Sequence, residues 1–187
     1  MTSSASVPSG ARGRQTSRVL VAGVGNVFLR DDGFGPEVAR LLASDAYLPP
    51  GVDVVDYGIR GMHLAYDLLA GVDVLVLVDA VPPKAGVPDS TSGTDGDGGR
   101  TPGSIHVLRI RSRDLDGGAS LDPHGMDPAA VLGRLRTLGG ERPVTYVVGC
   151  VPDDVSEGIG LTAPVAAALP EAIAAVVELL SRHTSKT

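Results

Sequence analysis

The chain has 187 residues, 43% of them apolar and 20% charged, the balance of an ordinary globular domain that buries a core without staples. Its net charge of -6 argues against nucleic acid as a partner, because a phosphate backbone rewards dense Lys and Arg patches. No apolar run approaches the roughly 20 residues of a membrane span, and the single cysteine, Cys150, excludes an internal disulfide and suits a reducing cytoplasm.

Residues 1–17 are rich in Ser, Gly and Ala, lack an apolar stretch, and read as a disordered tail ahead of one α/β domain over 18–183. Residues 19–24 form a short, buried-type strand. Pro36 then suits a first helical turn, with Val38, Leu41 and Leu42 on the helix face. A second strand is expected over 52–57, a short helix over 63–69, and the most apolar strand over 74–78, ending on Asp79. From 85 to 103 the composition turns to Gly, Ser, Thr, Asp and Pro, which predicts a flexible surface insert because little burial offsets its ordering entropy. A fourth strand follows over 104–110, a helix over 127–138 and a fifth strand over 144–151. The chain closes with helix over 163–181, which Pro170 divides. Five strands with helices between most of them predict a three-layer α/β sandwich, its twisted sheet mostly parallel and covered on both faces. The third and fourth strands lack a crossover helix between them, so strand four is expected to run antiparallel.

The loop after strand one reads Gly23-Val24-Gly25-Asn26-Val27-Phe28-Leu29-Arg30-Asp31-Asp32-Gly33-Phe34-Gly35. A dinucleotide fingerprint wants glycine where Phe28 stands and a helix that begins at once. Paired carboxylates flanked by glycine fit a metal site better, since hard oxygens gather where the backbone bends sharply. Capping of the following helix by Asp31 or Asp32 is the plainer alternative. Asp79 stands at the carboxyl end of its strand, the edge where open α/β sheets place ligands; a turn-bonded strand-end aspartate is the competing account. His124, within Asp122-Pro123-His124-Gly125-Met126-Asp127, sits in a loop rather than a core. A set of two aspartates and a histidine, with Asp31 or Asp32 joining Asp79 and His124, suits a borderline divalent metal with open positions, zinc and nickel among them.

The other chemistry-bearing residues have plainer homes. His63 opens a short helix, His106 lies on strand four, and His183 falls in a frayed C-terminus. Cys150, inside an apolar strand, reads as packing rather than as a nucleophile. Arg109, Arg111 and Arg113 alternate along a solvated edge strand.

Together these stretches resemble the hydrogenase maturation protease family from about Arg18 to Arg182. The resemblance is carried by Gly23-Val24-Gly25-Asn26 with Asp31-Asp32-Gly33-Phe34-Gly35, then Asp56-Tyr57-Gly58 with Gly61-Met62, Val78-Asp79-Ala80, Pro123-His124, and Gly160-Leu161-Thr162. It implies an endopeptidase that removes the C-terminal extension of a nickel-iron hydrogenase large-subunit precursor, with nickel already in that precursor as the recognition signal. It further implies that Asp32, Asp79 and His124 meet the metal and carry catalysis, with no other cofactor. The nickel is the substrate's, the partner is that precursor, and the enzyme is expected to be a cytoplasmic monomer without nucleic-acid or membrane contacts. Such a site could polarise a scissile carbonyl or activate water, or the carboxylates could act on the peptide directly, as in an aspartyl-type endopeptidase. Two other readings stand beside it: a different metal-dependent hydrolase on the same sandwich, and a nucleotide-binding module using the loop from Gly23 to Gly35.

Overall fold

A computed structural model describes residues 17–44, 48–81, 101–111 and 128–184. In chain order these form β1 (Val19–Val24), a 3-10 turn (Arg30–Gly33), α1 (Phe34–Ala43), β2 (Val52–Gly58), α2 (Gly61–Leu68), β3 (Val74–Ala80), β4 (Ile105–Ile110), α3 (Pro128–Thr137), β5 (Val144–Cys150), α4 (Ala163–Ala167) and α5 (Leu169–Thr184). The strands make one sheet in the order β2-β1-β3-β5-β4. Every neighbouring pair is parallel except β4 with β5, where Ile105 faces Cys150 and Ile110 faces Thr145. The expected antiparallel fourth strand is therefore present, at the sheet edge.

The central strands are continuous apolar runs because helices cover both of their faces. Strand alternation sorts the side chains: in β3, Val74, Val76 and Val78 join the core beneath α1 and α5, whereas Leu75 and Leu77 join the core beneath α2 and α3. β1 divides likewise, Val19 and Val21 to one side, Leu20 and Ala22 to the other. α1 contributes Phe34, Val38 and Leu42, one stripe at helical spacing, and all three are buried. Phe34 is fully buried, a side chain whose removal from water stabilises by about 3 kcal/mol.

Pro170 falls in the first turn of α5, and the chain breaks between α4 and α5 at Ala168, as its ring requires. His183 departs from expectation. It lies inside α5, its Nε2 3.2 Å from the Tyr146 hydroxyl and the two rings 5.4 Å apart; packing against β5 holds a helix end that polarity alone marked as frayed. Most of the 85–103 segment lies outside the described residues. Its last three, Thr101 to Gly103, form a turn in which Gly103 donates to the Val151 carbonyl at 2.8 Å. No helix among the described residues is long and apolar enough to cross a membrane.

Candidate active site

β1 carries β2 on one side and β3 on the other, so the chain reverses its direction of travel across the sheet between β1 and β3. Open α/β sheets bind ligands at the carboxyl edge of such a switch point. The loop after β1 carries Asp31 and Asp32, and β3 ends on Asp79 and Ala80. Two of the three predicted site residues, Asp32 in the loop after β1 and Asp79 on the neighbouring parallel β3, thus stand at one edge of the sheet, both partly buried. His124, the third, lies outside the described residues. Among the described residues no group of three His, Cys, Asp or Glu side chains is arranged to hold a metal.

Glycine allows this edge to close up. A Cβ on Gly35 would lie 2.2 Å from the Val78 carbonyl oxygen and 2.3 Å from that of Val24, so α1 starts jammed against the ends of β1 and β3. Gly25 has φ +132°, and a Cβ there would lie 1.9 Å from the Asp32 carbonyl oxygen. The loop then closes on itself: Asn26 donates its N–H to Asp32 Oδ2 at 2.8 Å, Leu29 N–H reaches the Asn26 carbonyl at 2.9 Å, and Asp32 N–H reaches the Leu29 carbonyl at 3.1 Å. Asp32 is thereby oriented by a backbone donor within its own loop.

The two adjacent acids play different parts, and this was not legible from their types. The α1 N-cap is Gly33, so neither acid occupies the capping position that the sequence allowed. Asp31 is fully buried. Its Oδ2 accepts the backbone N–H groups of Asp153 and Asp154, both at 2.9 Å, and the Thr162 hydroxyl at 2.8 Å, while Oδ1 accepts the Thr162 N–H at 2.7 Å. Burial pushes its pKa up, but the backbone donors of Asp154, Thr162 and Asp153 and the Thr162 hydroxyl outweigh it and hold the carboxyl below its ordinary range. The loop after β5 is tied to the loop after β1 at further points: Arg30 N–H donates to the Gly158 carbonyl at 3.0 Å, Gly158 N–H to the Phe28 carbonyl at 2.9 Å, and Arg30 Nε lies 3.1 Å from Asp154 Oδ2. Arg30 takes φ 46° to make this junction, a conformation that costs a side-chain-bearing residue about 1 kcal/mol or more. Gly160-Leu161-Thr162 was visible as a motif; its partner was not.

The loops of this edge also expose large apolar side chains, Phe28 at 65%, Ile59 at 69% and Ile159 at 81%. A cavity of about 220 Å³ lies between α1 and the end of β2, with Val27, Gly33, Pro36, Arg40 and Asp56 in its wall. Cys150 is buried under the sheet edge, and burial, followed by the negative charges of Asp31 and Glu171, pushes its thiol up to about 12. A thiol so held is protonated at neutral pH and is packing, as its strand position suggested.

No family model matches the chain. It is 31% identical over 163 residues to the hydrogenase 2 maturation protease of Escherichia coli (strain K12), covering 87% of this chain and 90% of that one. Its fold superposes on a hydrogenase maturating endopeptidase from E. coli with a TM-score of 0.71, at 29% identity over 88% of this chain and 93% of the other. A hydrogenase 2 maturation peptidase from a Thaumarchaeota archaeon matches with a TM-score of 0.61, at 29% identity over 88% and 98%. An identity of this size, sustained over nearly the whole of both chains and accompanied by the same fold, places the chain in the hydrogenase maturation protease family.

Proposed function

We propose that this protein removes the C-terminal extension of a nickel-iron hydrogenase large-subunit precursor, and that nickel already seated in the precursor is what it recognises. The reading is supported chiefly by one observation: two carboxylates, Asp32 in the turn that follows β1 and Asp79 near the end of the adjacent parallel β3, stand on the carboxyl side of the sheet at its switch point, in a chain of a protease family. With His124 they make a donor set of two carboxylates and an imidazole, hard to borderline in character, which suits a divalent ion that brings its remaining ligands with it. The nickel is then part of the substrate. Bound at this edge, it would polarise the scissile carbonyl or the attacking water.

The protein's own residues supply position. The Asn26 N–H directs one oxygen of Asp32, and such outer partners set how a carboxylate meets a metal or a peptide. Phe28, Ile59 and Ile159, exposed around the edge, suit a peptide tail with apolar side chains. The nucleotide-module reading has lost its footing, because α1 begins only at Phe34, beyond a 3-10 turn carrying both acids. We place the reaction in the cytoplasm, with the enzyme acting as a monomer.

Purified protein incubated with nickel-loaded precursor should shorten the large subunit by its C-terminal peptide, read as a mass change. Asp32→Asn, Asp79→Asn and His124→Ala should each abolish that change while keeping the folded circular-dichroism spectrum. Full trimming by all three variants would remove these residues from the site.

A further inference from the structure

Among the described residues Asp31 is the one fully buried charged side chain, and every donor it accepts comes from the loop after β5. An apolar contact would hold two loops together at less desolvation cost. What a buried carboxylate adds is direction, because three backbone N–H groups and a hydroxyl must converge on two oxygens. The two loops so joined are the ones that follow β1 and β5, the strands on either side of β3 and its Asp79.

The loop from Asn26 to Gly33 is internally closed by the bonds among Asn26, Leu29 and Asp32, which tie its members to one another. Its orientation is set by what grips it from outside. On one flank Gly25 N–H donates to the Gly58 carbonyl at 3.1 Å; on the other stand the Asp31 carboxylate with its four donors and, beside it, the bonds that join Arg30 and Phe28 to Gly158. We propose that Asp31 is a positioning residue for peptide cleavage: its carboxylate locks the loop after β1 to the loop after β5 and thereby holds Asp32 at the mouth of the crevice between β1 and β3. The proposal rests on the reading of Asp32 as a site residue. Thr162 is the other half of the lock, since it donates through both its N–H and its hydroxyl.

The test compares Asp31→Asn, Thr162→Val, Thr162→Ser and Asp32→Asn, each on nickel-loaded precursor at a temperature where unfolding curves show the variant folded. For Asp31→Asn, kcat should fall about 10-fold to 100-fold, the usual effect of losing a partner that orients a site group, with KM little changed. Thr162→Val, which keeps the backbone donor, should fall less, and Thr162→Ser should cut like the parent. Parental kcat in folded Asp31→Asn and Thr162→Val, with only the melting temperature lowered, would reduce Asp31 to a fold-holding residue and overturn the proposal. Should Asp31→Asn fail to fold, the Thr162 pair decides alone. The Asp32→Asn arm separates the two claims. If that variant cuts normally, the site reading fails and the lock loses its object. If it is inactive while Asp31→Asn and Thr162→Val keep the parental kcat, only the lock fails.

Discussion

Thr162 donates twice to Asp31, through its backbone N–H at 2.7 Å and its hydroxyl at 2.8 Å, across a sequence separation of 131 residues. This pair closes the first loop of the domain onto the loop before its last two helices. Its energetic weight can be read by pH. Asp31 has a folded pKa below its ordinary value, so the stability it contributes is present above the ordinary carboxylate range of about 4 and is lost as pH falls through its folded value. Asp31→Asn should therefore cost about 3 kcal/mol near pH 7, the scale of buried donors left without an acceptor. The gap from the parent should narrow steadily in urea unfolding below pH 4. A gap that stays constant down to pH 2 would contradict the bond pattern.

Glycine substitutions should separate close approach from simple flexibility. Gly25→Ala puts a Cβ 1.9 Å from the Asp32 carbonyl oxygen at φ +132°, so the loop must shift; we expect a loss of about 2 kcal/mol together with loss of trimming. Gly133 lies inside α3 with open space around its Cα. There Gly133→Ala should raise stability by about 0.5 to 1 kcal/mol and leave trimming unchanged. Melting curves of the two variants moving in the same direction would count against this account.

Cys150 offers a check on the excluded chemistry. With its thiol pushed up to about 12 and fully buried, it should resist iodoacetamide until the protein unfolds. Cys150→Ala should trim precursor at the parental rate while losing about 1 kcal/mol of stability. Rapid labelling of the folded protein, or an inactive but folded variant, would revive a thiol mechanism.

Ile159 is 81% exposed, so Ile159→Asp should leave stability within about 0.5 kcal/mol. If the edge receives an apolar peptide tail, KM for the precursor should rise several-fold with kcat nearly constant. An unchanged KM would take Ile159 out of the substrate path.

Much of the architecture was legible because it rests on local pattern. The continuous apolar run of β3, the helix face carrying Val38 and Leu42, and the break near Pro170 each follow from spacing along a few residues. Leu41, expected on the same face, is only half-buried, and Phe34 takes the third place in the stripe. The antiparallel β4 followed from a missing crossover helix. What stayed hidden was long-range. Asp31 and Asp32 are neighbours of one chemical type, and only the distant Asp153, Asp154 and Thr162 assign one of them to the interior. His183 looked terminal and loose because its partner, Tyr146, lies on another element. Polarity predicts exposure well but carries no information on which remote group will satisfy a polar atom.

The central claim is that nickel within the precursor licenses cleavage. Its most direct measurement incubates the purified protein with nickel-loaded and nickel-free large-subunit precursor under identical conditions and compares the masses of the products. The account predicts that the loaded precursor loses its C-terminal peptide and the nickel-free precursor keeps its full mass. Equal trimming of both would contradict it and make this protein an ordinary peptidase for that tail.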